Sequence, residues 1–127
     1  MKVLIDSNIV IYSAQQEYQT LRNFLSHYEC MVSDITYLEV LGYDRLTDEE
    51  SLLFERFFKS IEIIPISSTI IKHAVILSRQ KKPRNPRSLA DFIIAATALT
   101  FHLTLVTRNT KDFDWIKELI LINPFEL

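Results

Sequence analysis

The sequence predicts an α/β domain with three layers, α/β/α, in which helices cover both faces of a mainly parallel sheet of about five strands. Strand-like and helix-like segments alternate along the chain with few long gaps, as in parallel sheets joined by crossover helices. One helix-like segment, 88–99, is apolar almost all round, so most of its sides must be buried. At 127 residues we expect one hydrophobic core and a single domain, residues 1–127.

The first third of the chain is predicted to contain two strands and three helices. Residues 3–5 form a short apolar strand, and Ser7-Asn8 is placed to cap a helix through residue 12. Apolar side chains at helical spacing predict an amphipathic helix over 17–28. A second strand, 30–32, is followed by a helix that Ser33 or Asp34 caps and that ends near Gly42, the one glycine of the chain.

The remaining elements have equally local signals. The sequence Thr47-Asp-Glu-Glu50 is a capping box that opens a helix. A third strand is predicted over 61–66, and a helix then begins at Ser67-Ser68 and packs Ile70, Ile71, Ala74, Val75 and Leu77 inward. The fourth strand spans 103–106. A short turn or helix follows over 110–118, and 119–122 is an edge strand stopped by Pro124.

Composition narrows the class of protein. With 48% hydrophobic and 24% charged residues, the chain is predicted to be globular, and its short, interrupted apolar runs predict neither a membrane span nor a signal peptide. We therefore expect a cytoplasmic protein. The one cysteine, Cys30, excludes a disulfide framework or a cysteine zinc site. A net charge of −2 argues against indiscriminate binding of nucleic acid.

Four acids are predicted to meet at one edge of the sheet. Asp6 and Asp112 each follow a strand, and the carboxyl ends of parallel strands are where ligands bind. Glu39 shares a helix face with Ile35 and Leu38, so an acid is predicted on the stripe that should be buried. Asp91 is the one carboxylate of the apolar helix. Three of the acids also have an ordinary structural interpretation: Asp6 as a helix N-cap, Asp91 as the capping partner of Ser88, and Asp112 as a turn aspartate. Glu39 is the hardest of the four to explain in this way.

Carboxylates crowded together raise one another's pKa unless cations neutralise them. Mg²⁺ or Mn²⁺, one or two ions per site, is the natural partner, because carboxylates and water are the ligands that these ions prefer and the three histidines are scattered. Two such ions could activate water and stabilise the leaving oxygen of a phosphodiester. The sequence therefore predicts metal-dependent phosphodiester chemistry.

Four segments in this order, Asp6-Ser-Asn-Ile, Tyr-Leu-Glu39-Val-Leu, Ala-Asp91-Phe-Ile-Ile-Ala-Ala-Thr-Ala and Thr107-Arg-Asn-Thr-Lys-Asp112-Phe, resemble a PIN-domain nuclease, most closely the VapC-type toxins of bacterial toxin–antitoxin pairs. The resemblance covers essentially the whole chain. It implies a PIN-like fold with five parallel strands, endoribonuclease activity on RNA, a homodimer, and inhibition by a small antitoxin. It also implies that Mg²⁺ or Mn²⁺ is held by the catalytic acids Asp6, Glu39, Asp91 and Asp112, with Asn8, Thr107 and Asn109 as supporting polar groups.

Two assignments stay open at this stage. Asp114 competes with Asp112 as the fourth acid; family spacing favours Asp112, because Asp114 precedes Trp115 and is placed to cap a short helix toward Glu118. The basic, proline-containing stretch 79–87 is either a solvated loop or a contact with RNA phosphates. Its position directly before Asp91 favours the contact, and the RNA-binding candidates are Lys81, Lys82, Arg84 and Arg87.

Other functional classes fit less well. A haloacid-dehalogenase-type phosphatase needs an aspartate two residues after the first acid, where this chain has Asn8. A response-regulator receiver needs a phosphorylatable aspartate at the end of a middle strand, where this chain has Ile66-Ser67. A catalytically silent PIN-like module that binds RNA or protein remains the alternative to an enzyme.

Overall fold

The computed structural model describes residues 1–80 and 88–127, and in them the predicted α/β architecture is confirmed. Five strands form one parallel sheet in the order β3-β2-β1-β4-β5. The strands are β1 (Lys2–Ile5), β2 (Glu29–Ser33), β3 (Glu62–Ile64), β4 (Thr104–Val106) and β5 (Leu121–Ile122). β5 is an edge strand, as predicted, and begins two residues later than expected.

The helices within the described residues are α1 (Ser7–Ser13), α2 (Gln19–Leu25), α3 (Asp34–Leu41), α4 (Asp48–Lys59), α5 (Ser68–Gln80) and α6 (Leu89–Thr100). A 3₁₀ turn spans Thr110–Asp112. The capping box at Thr47 is present, since its hydroxyl accepts from the Glu50 N–H and the Glu50 carboxylate accepts from the Thr47 N–H. None of these helices has both the length and the apolar character needed to cross a bilayer.

The sheet separates two hydrophobic clusters, which makes the three layers. On β1, Leu4 packs with α5 and α6, whereas Val3 and Ile5 pack on the other face with α1, α2 and α4. This alternation is the period of two that a strand buried on both faces must show. Helix α6 is buried along most of its length, as predicted from its apolar character.

Three details differ from the sequence predictions. Helix α2 ends at Leu25, because the chain turns through Ser26 and His27 to enter β2. On α5, Ile70, Ala74 and Leu77 are buried, but Ile71 and Val75 are each 42% exposed, so the buried stripe is narrower than the apolar pattern suggests. Asp114 caps no helix, because residues 113–118 form successive turns in which the Asp114 N–H bonds to the Thr110 carbonyl.

We call the side of the sheet where the strands end the carboxyl edge, and the opposite side the amino edge. In a parallel sheet each crossover leaves the carboxyl edge and returns the chain to the amino edge. The starts of α1 and α3, the start of α6, which returns the chain to β4, and the loop after β4 therefore lie at the carboxyl edge. Asp6, Asp91 and Asp112 lie on these segments, and Glu39 lies in the second turn of α3.

Candidate active site

Asp6 lies at the centre of the carboxyl edge, between the end of β1 and the start of α1. It is both the N-cap of α1 and a buried acid, with 6% of its surface exposed. One carboxylate oxygen, Oδ1, accepts from the Ser7 N–H at 2.7 Å. The other, Oδ2, accepts from the Thr107 hydroxyl at 2.8 Å and from the Asn8 side-chain amide at 3.1 Å. The predicted cap Ser7-Asn8 is therefore one residue off, and the capping interpretation of Asp6 is confirmed.

The surroundings of Asp6 disfavour its charge. The pKa of this carboxyl is raised to about 6, chiefly by burial and to a smaller extent by the negative charges of Asp91 and Glu39. The hydrogen bonds from Thr107 and Ser7 act in the opposite direction and lower the pKa. All of the hydrogen-bond donors that the described residues offer Asp6 are neutral. Within residues 1–80 and 88–127, the carboxylate is thus held in place by neutral donors alone.

Glu39 reaches the same place from α3, but not in the way predicted. The buried face of α3 consists of Thr36 and Val40, and Glu39 is exposed, so the prediction that it occupies the buried stripe was wrong. An eight-residue helix contains only about two turns, and its apolar spacing did not identify the buried face. Glu39 points toward the start of α1, where its Oε1 accepts from the Ser7 hydroxyl at 2.6 Å.

Asp91 lies in the first turn of α6 and is half-buried. The Ser88 hydroxyl accepts from the Asp91 N–H at 3.2 Å, so the predicted capping interaction is present. Burial raises the pKa of Asp91, and the negative charge of Asp112 raises it as well; hydrogen bonds from Ser88 lower it, and Glu39 adds a smaller increase. The capping interaction is therefore not the whole environment of Asp91, because the charges of Asp112 and Glu39 also act on its carboxyl group.

Asp112 ends the 3₁₀ turn after β4 and is half-buried, whereas Asp114 is exposed. The Asp112 carbonyl accepts from the Trp115 indole N–H at 2.9 Å, which anchors the turn to the core. The charge of Asp112 acts on Asp91. Of the two aspartates, Asp112 is the one whose charge raises the pKa of Asp91, and its assignment as the fourth acid stays a prediction.

The three predicted supporting residues surround Asp6 unequally. Thr107 is fully buried and donates to Asp6, while its hydroxyl accepts from the Asn109 N–H at 3.1 Å. Asn8 donates to Asp6 and accepts from the Arg108 N–H at 3.4 Å. Asn109 takes part through its backbone. Together they tie the loop after β4 to the start of α1.

Sequence reasoning missed two residues in this network. The Ser7 hydroxyl also lies 3.1 Å from the hydroxyl of Thr36, which is fully buried on α3. Ser7 therefore links α1 to α3 and positions Glu39. A serine directly after an N-cap aspartate has no sequence signal for this role, because its partners come from a helix about thirty residues away. The predicted RNA-binding residues Lys81, Lys82, Arg84 and Arg87 lie outside the described residues.

The donor set at the carboxyl edge consists of carboxylate oxygens and hydroxyls, which suits a hard divalent cation such as Mg²⁺ or Mn²⁺. Within residues 1–80 and 88–127, no three acidic, imidazole or thiol side chains are close enough to share one ion as they stand. Their charges nevertheless act on one another across the site. Like charges that repel are expected to stay apart until a cation draws them together, and a buried acid with neutral donors fits such a cation.

This chain is similar to known proteins over nearly its whole length. The model of the PIN domain family matches residues 3–119. Ribonuclease VapC of Rickettsia bellii (strain RML369-C) is 30% identical over 126 residues, covering 94% of this chain and 93% of the relative. Ribonuclease VapC1 of Rickettsia felis (strain ATCC VR-1525 / URRWXCal2) is 33% identical over 127 residues, with the same coverage.

Solved structures show the same fold. A chain of a toxin-antitoxin complex from Klebsiella pneumoniae superposes with a TM-score of 0.76 at 29% identity, covering 98% of this chain and 99% of that one. A chain of VapBC2 from Rickettsia felis, bound to a DNA fragment from its promoter, superposes with a TM-score of 0.85 at 24% identity, covering 97% and 98%.

Proposed function

This chain belongs to the PIN-domain family, and from that premise we propose that it is a Mg²⁺- or Mn²⁺-dependent endoribonuclease, the toxin of a toxin–antitoxin pair. The observation that carries the proposal is that the charges of four acids act on one another at the carboxyl edge, with Asp6 buried among neutral donors. Maintaining that arrangement costs stability. A binding module without catalysis would have no use for it.

We assign catalysis and metal binding to Asp6, Glu39, Asp91 and Asp112. The bound ion supplies Lewis acidity toward a phosphoryl oxygen and makes water a better nucleophile. The protein orients the acids: α1 and α6 present Asp6 and Asp91 in their capped first turns, and Ser7 holds Glu39. Thr107 and Asn8 fix the Asp6 carboxylate, and the Asn109 N–H in turn bonds to Thr107.

The proposed partners follow from the relatives and from the surface. Two relatives are named ribonucleases, and solved neighbours are toxin–antitoxin complexes, so we assign this chain an RNA substrate and a small antitoxin. A homodimer is also proposed. The exposed apolar side chains Ile71, Val75 and Ile76 of α5 and Leu89 of α6 form a surface of the kind that a second copy would cover. The stretch from Lys81 to Arg87 stays a predicted contact with phosphates.

The decisive experiment incubates the purified chain with an end-labelled, single-stranded RNA in Mg²⁺, in Mn²⁺ and in excess EDTA. We expect internal cleavage with either ion and none in EDTA. Divalent ion should also raise the melting temperature, because only the folded chain assembles the site. Equal cleavage in EDTA would contradict the metal dependence. Failure to cleave any of a broad set of RNAs in both ions would instead favour a silent binding module.

A further inference from the structure

Arg108 lies next to the acids and is absent from the roles assigned so far. It follows Thr107, whose hydroxyl donates to Asp6, and its own N–H donates to the Asn8 amide oxygen. Its side chain extends along α1 from Asn8 toward Tyr12, one helical turn away. The guanidinium carbon lies 4.8 Å from the centroid of the Tyr12 ring.

A second ring, from the end of the chain, completes the support of this guanidinium. Phe125 lies with its ring centroid 4.5 Å from the guanidinium carbon, and the two rings meet at an interplanar angle of 69°. The segment is attached locally, since the Asn123 side-chain amide donates to the Arg108 carbonyl at 3.2 Å. The guanidinium of Arg108 thus packs between two aromatic rings.

The hydrogen-bond donors of this guanidinium are not used by the described part of the chain. No carboxylate or carbonyl of those residues accepts from it, and the residue is exposed. Arg22 provides the contrast. Its guanidinium donates to the carbonyls of Ser13, Gln15 and Gln16 and to the Gln19 side chain, so it serves the local fold. Arg108 has a fixed position, a full charge and donors available for a ligand.

We propose that Arg108 binds a backbone phosphate of the RNA next to the site of cleavage, an inference that rests on the proposed ribonuclease function. A guanidinium presents a planar set of hydrogen-bond donors that matches a phosphate. Packing against the two aromatic rings holds these donors in position before the RNA binds. A polyanion approaching four acids also needs a positive charge beside them. The guanidinium of Arg108 supplies one from its position over Tyr12, a helical turn along α1 from Asn8, and it forms no ion pair with any of the described acids.

The test measures binding of a fluorescent, mixed-sequence 20-nucleotide RNA as a function of salt, in the Asp91→Asn background so that cleavage does not consume the probe. Arg108→Met keeps an unbranched side chain over the two rings and removes the charge. We expect about a tenfold loss of affinity and a fall in the magnitude of the salt slope of about 0.7. Arg108→Lys should retain the slope, because it retains the charge, with intermediate affinity.

The matched control is Arg56→Gln. Arg56 is exposed in the last turn of α4, which leads to the amino edge, so its loss changes the net charge equally at a distance from the acids. We expect it to leave affinity and slope unchanged. Arg108→Met binding like the control, or Arg108→Lys losing the slope as Arg108→Met does, would overturn the proposal. Melting temperatures of all variants identify loss of the fold, and cleavage by the unsubstituted chain tests the ribonuclease function separately.

Discussion

The two edges of the sheet differ in how their charged side chains are arranged. At the amino edge, Lys2 and Glu29 lie in register on neighbouring strands and form an ion pair of 3.4 Å, with both side chains about 60% exposed. At the carboxyl edge, like charges from Asp6, Glu39 and Asp91 act on one another, and Asp6 is buried. Opposite charges in water stabilise a fold slightly, whereas crowded acids oppose it. The carboxyl edge is therefore the part of this molecule where charge opposes folding, as the proposed metal site would require.

Removing one crowded acid should have the largest effect on activity. Asp112→Asn eliminates the charge that acts on Asp91, and we expect the cleavage rate to fall about a hundredfold or more, as loss of one preorganised polar group does. Folding should survive, because asparagine has the same shape. The measurement is the rate of RNA cleavage in saturating Mn²⁺, together with a melting curve.

Asp114→Asn is the control for that substitution, two residues away and exposed in a turn. It should keep nearly full activity and change the free energy of unfolding by no more than about 0.5 kcal/mol. An inactive Asp114→Asn beside an active Asp112→Asn would reverse the assignment of the fourth acid.

The pH dependence of stability should show the next largest effect. The pKa of Asp6 rises from an ordinary 3.8 to about 6 in the folded chain, so between these values the folded state binds more protons than the unfolded state. The free energy of unfolding must therefore fall as pH rises through this window. Since one pKa unit corresponds to about 1.4 kcal/mol, Asp6 alone should cost on the order of 3 kcal/mol above pH 6.

Asp6→Asn isolates this contribution, because asparagine is as good an N-cap as aspartate and does not ionise. Urea unfolding of both proteins in EDTA, from pH 4 to pH 7, should show the variant gaining stability relative to the unsubstituted chain as pH rises. A difference that stays constant over this range would mean that the carboxyl edge is no more strained than the amino edge.

The smallest effect is expected at the amino edge. Glu29→Gln removes the ion pair with Lys2 and should change the free energy of unfolding by less than about 1 kcal/mol, because both side chains are mostly hydrated. Urea unfolding at low salt, where such pairs contribute most, checks this value. A loss of 2 kcal/mol or more would contradict the contrast between the two edges.

Much of this arrangement could be predicted from sequence because its signals are local. A run such as Val3-Leu4-Ile5 identifies a buried strand, and an acid directly after it falls at the carboxyl edge wherever the sheet is parallel. The N-cap serine of α6 and the capping box at Thr47 were equally local. Secondary structure, sheet class and the position of three of the acids follow from such patterns.

What sequence could not provide depends on contacts between distant segments. The orientation of Glu39 is set by Ser7 on another helix, and the seat of Arg108 is built by Tyr12 and the last residues of the chain. Neither contact is marked by a recognisable residue spacing in the sequence. Ile71 and Val75 fit a buried helical stripe equally well until the position of α6 determines which residues of α5 are covered.

The hydrogen bond from Thr107 to Asp6 joins residues 101 positions apart, and Asp112 lies beyond it. A ribosome extends a chain at roughly 5 to 20 residues per second, from the amino end. For the seconds that separate synthesis of β1 from synthesis of β4, the nascent chain contains Asp6 and its local partners Ser7 and Asn8, but not Thr107. The proposed site, which needs all four acids, can therefore assemble only after translation has passed residue 112.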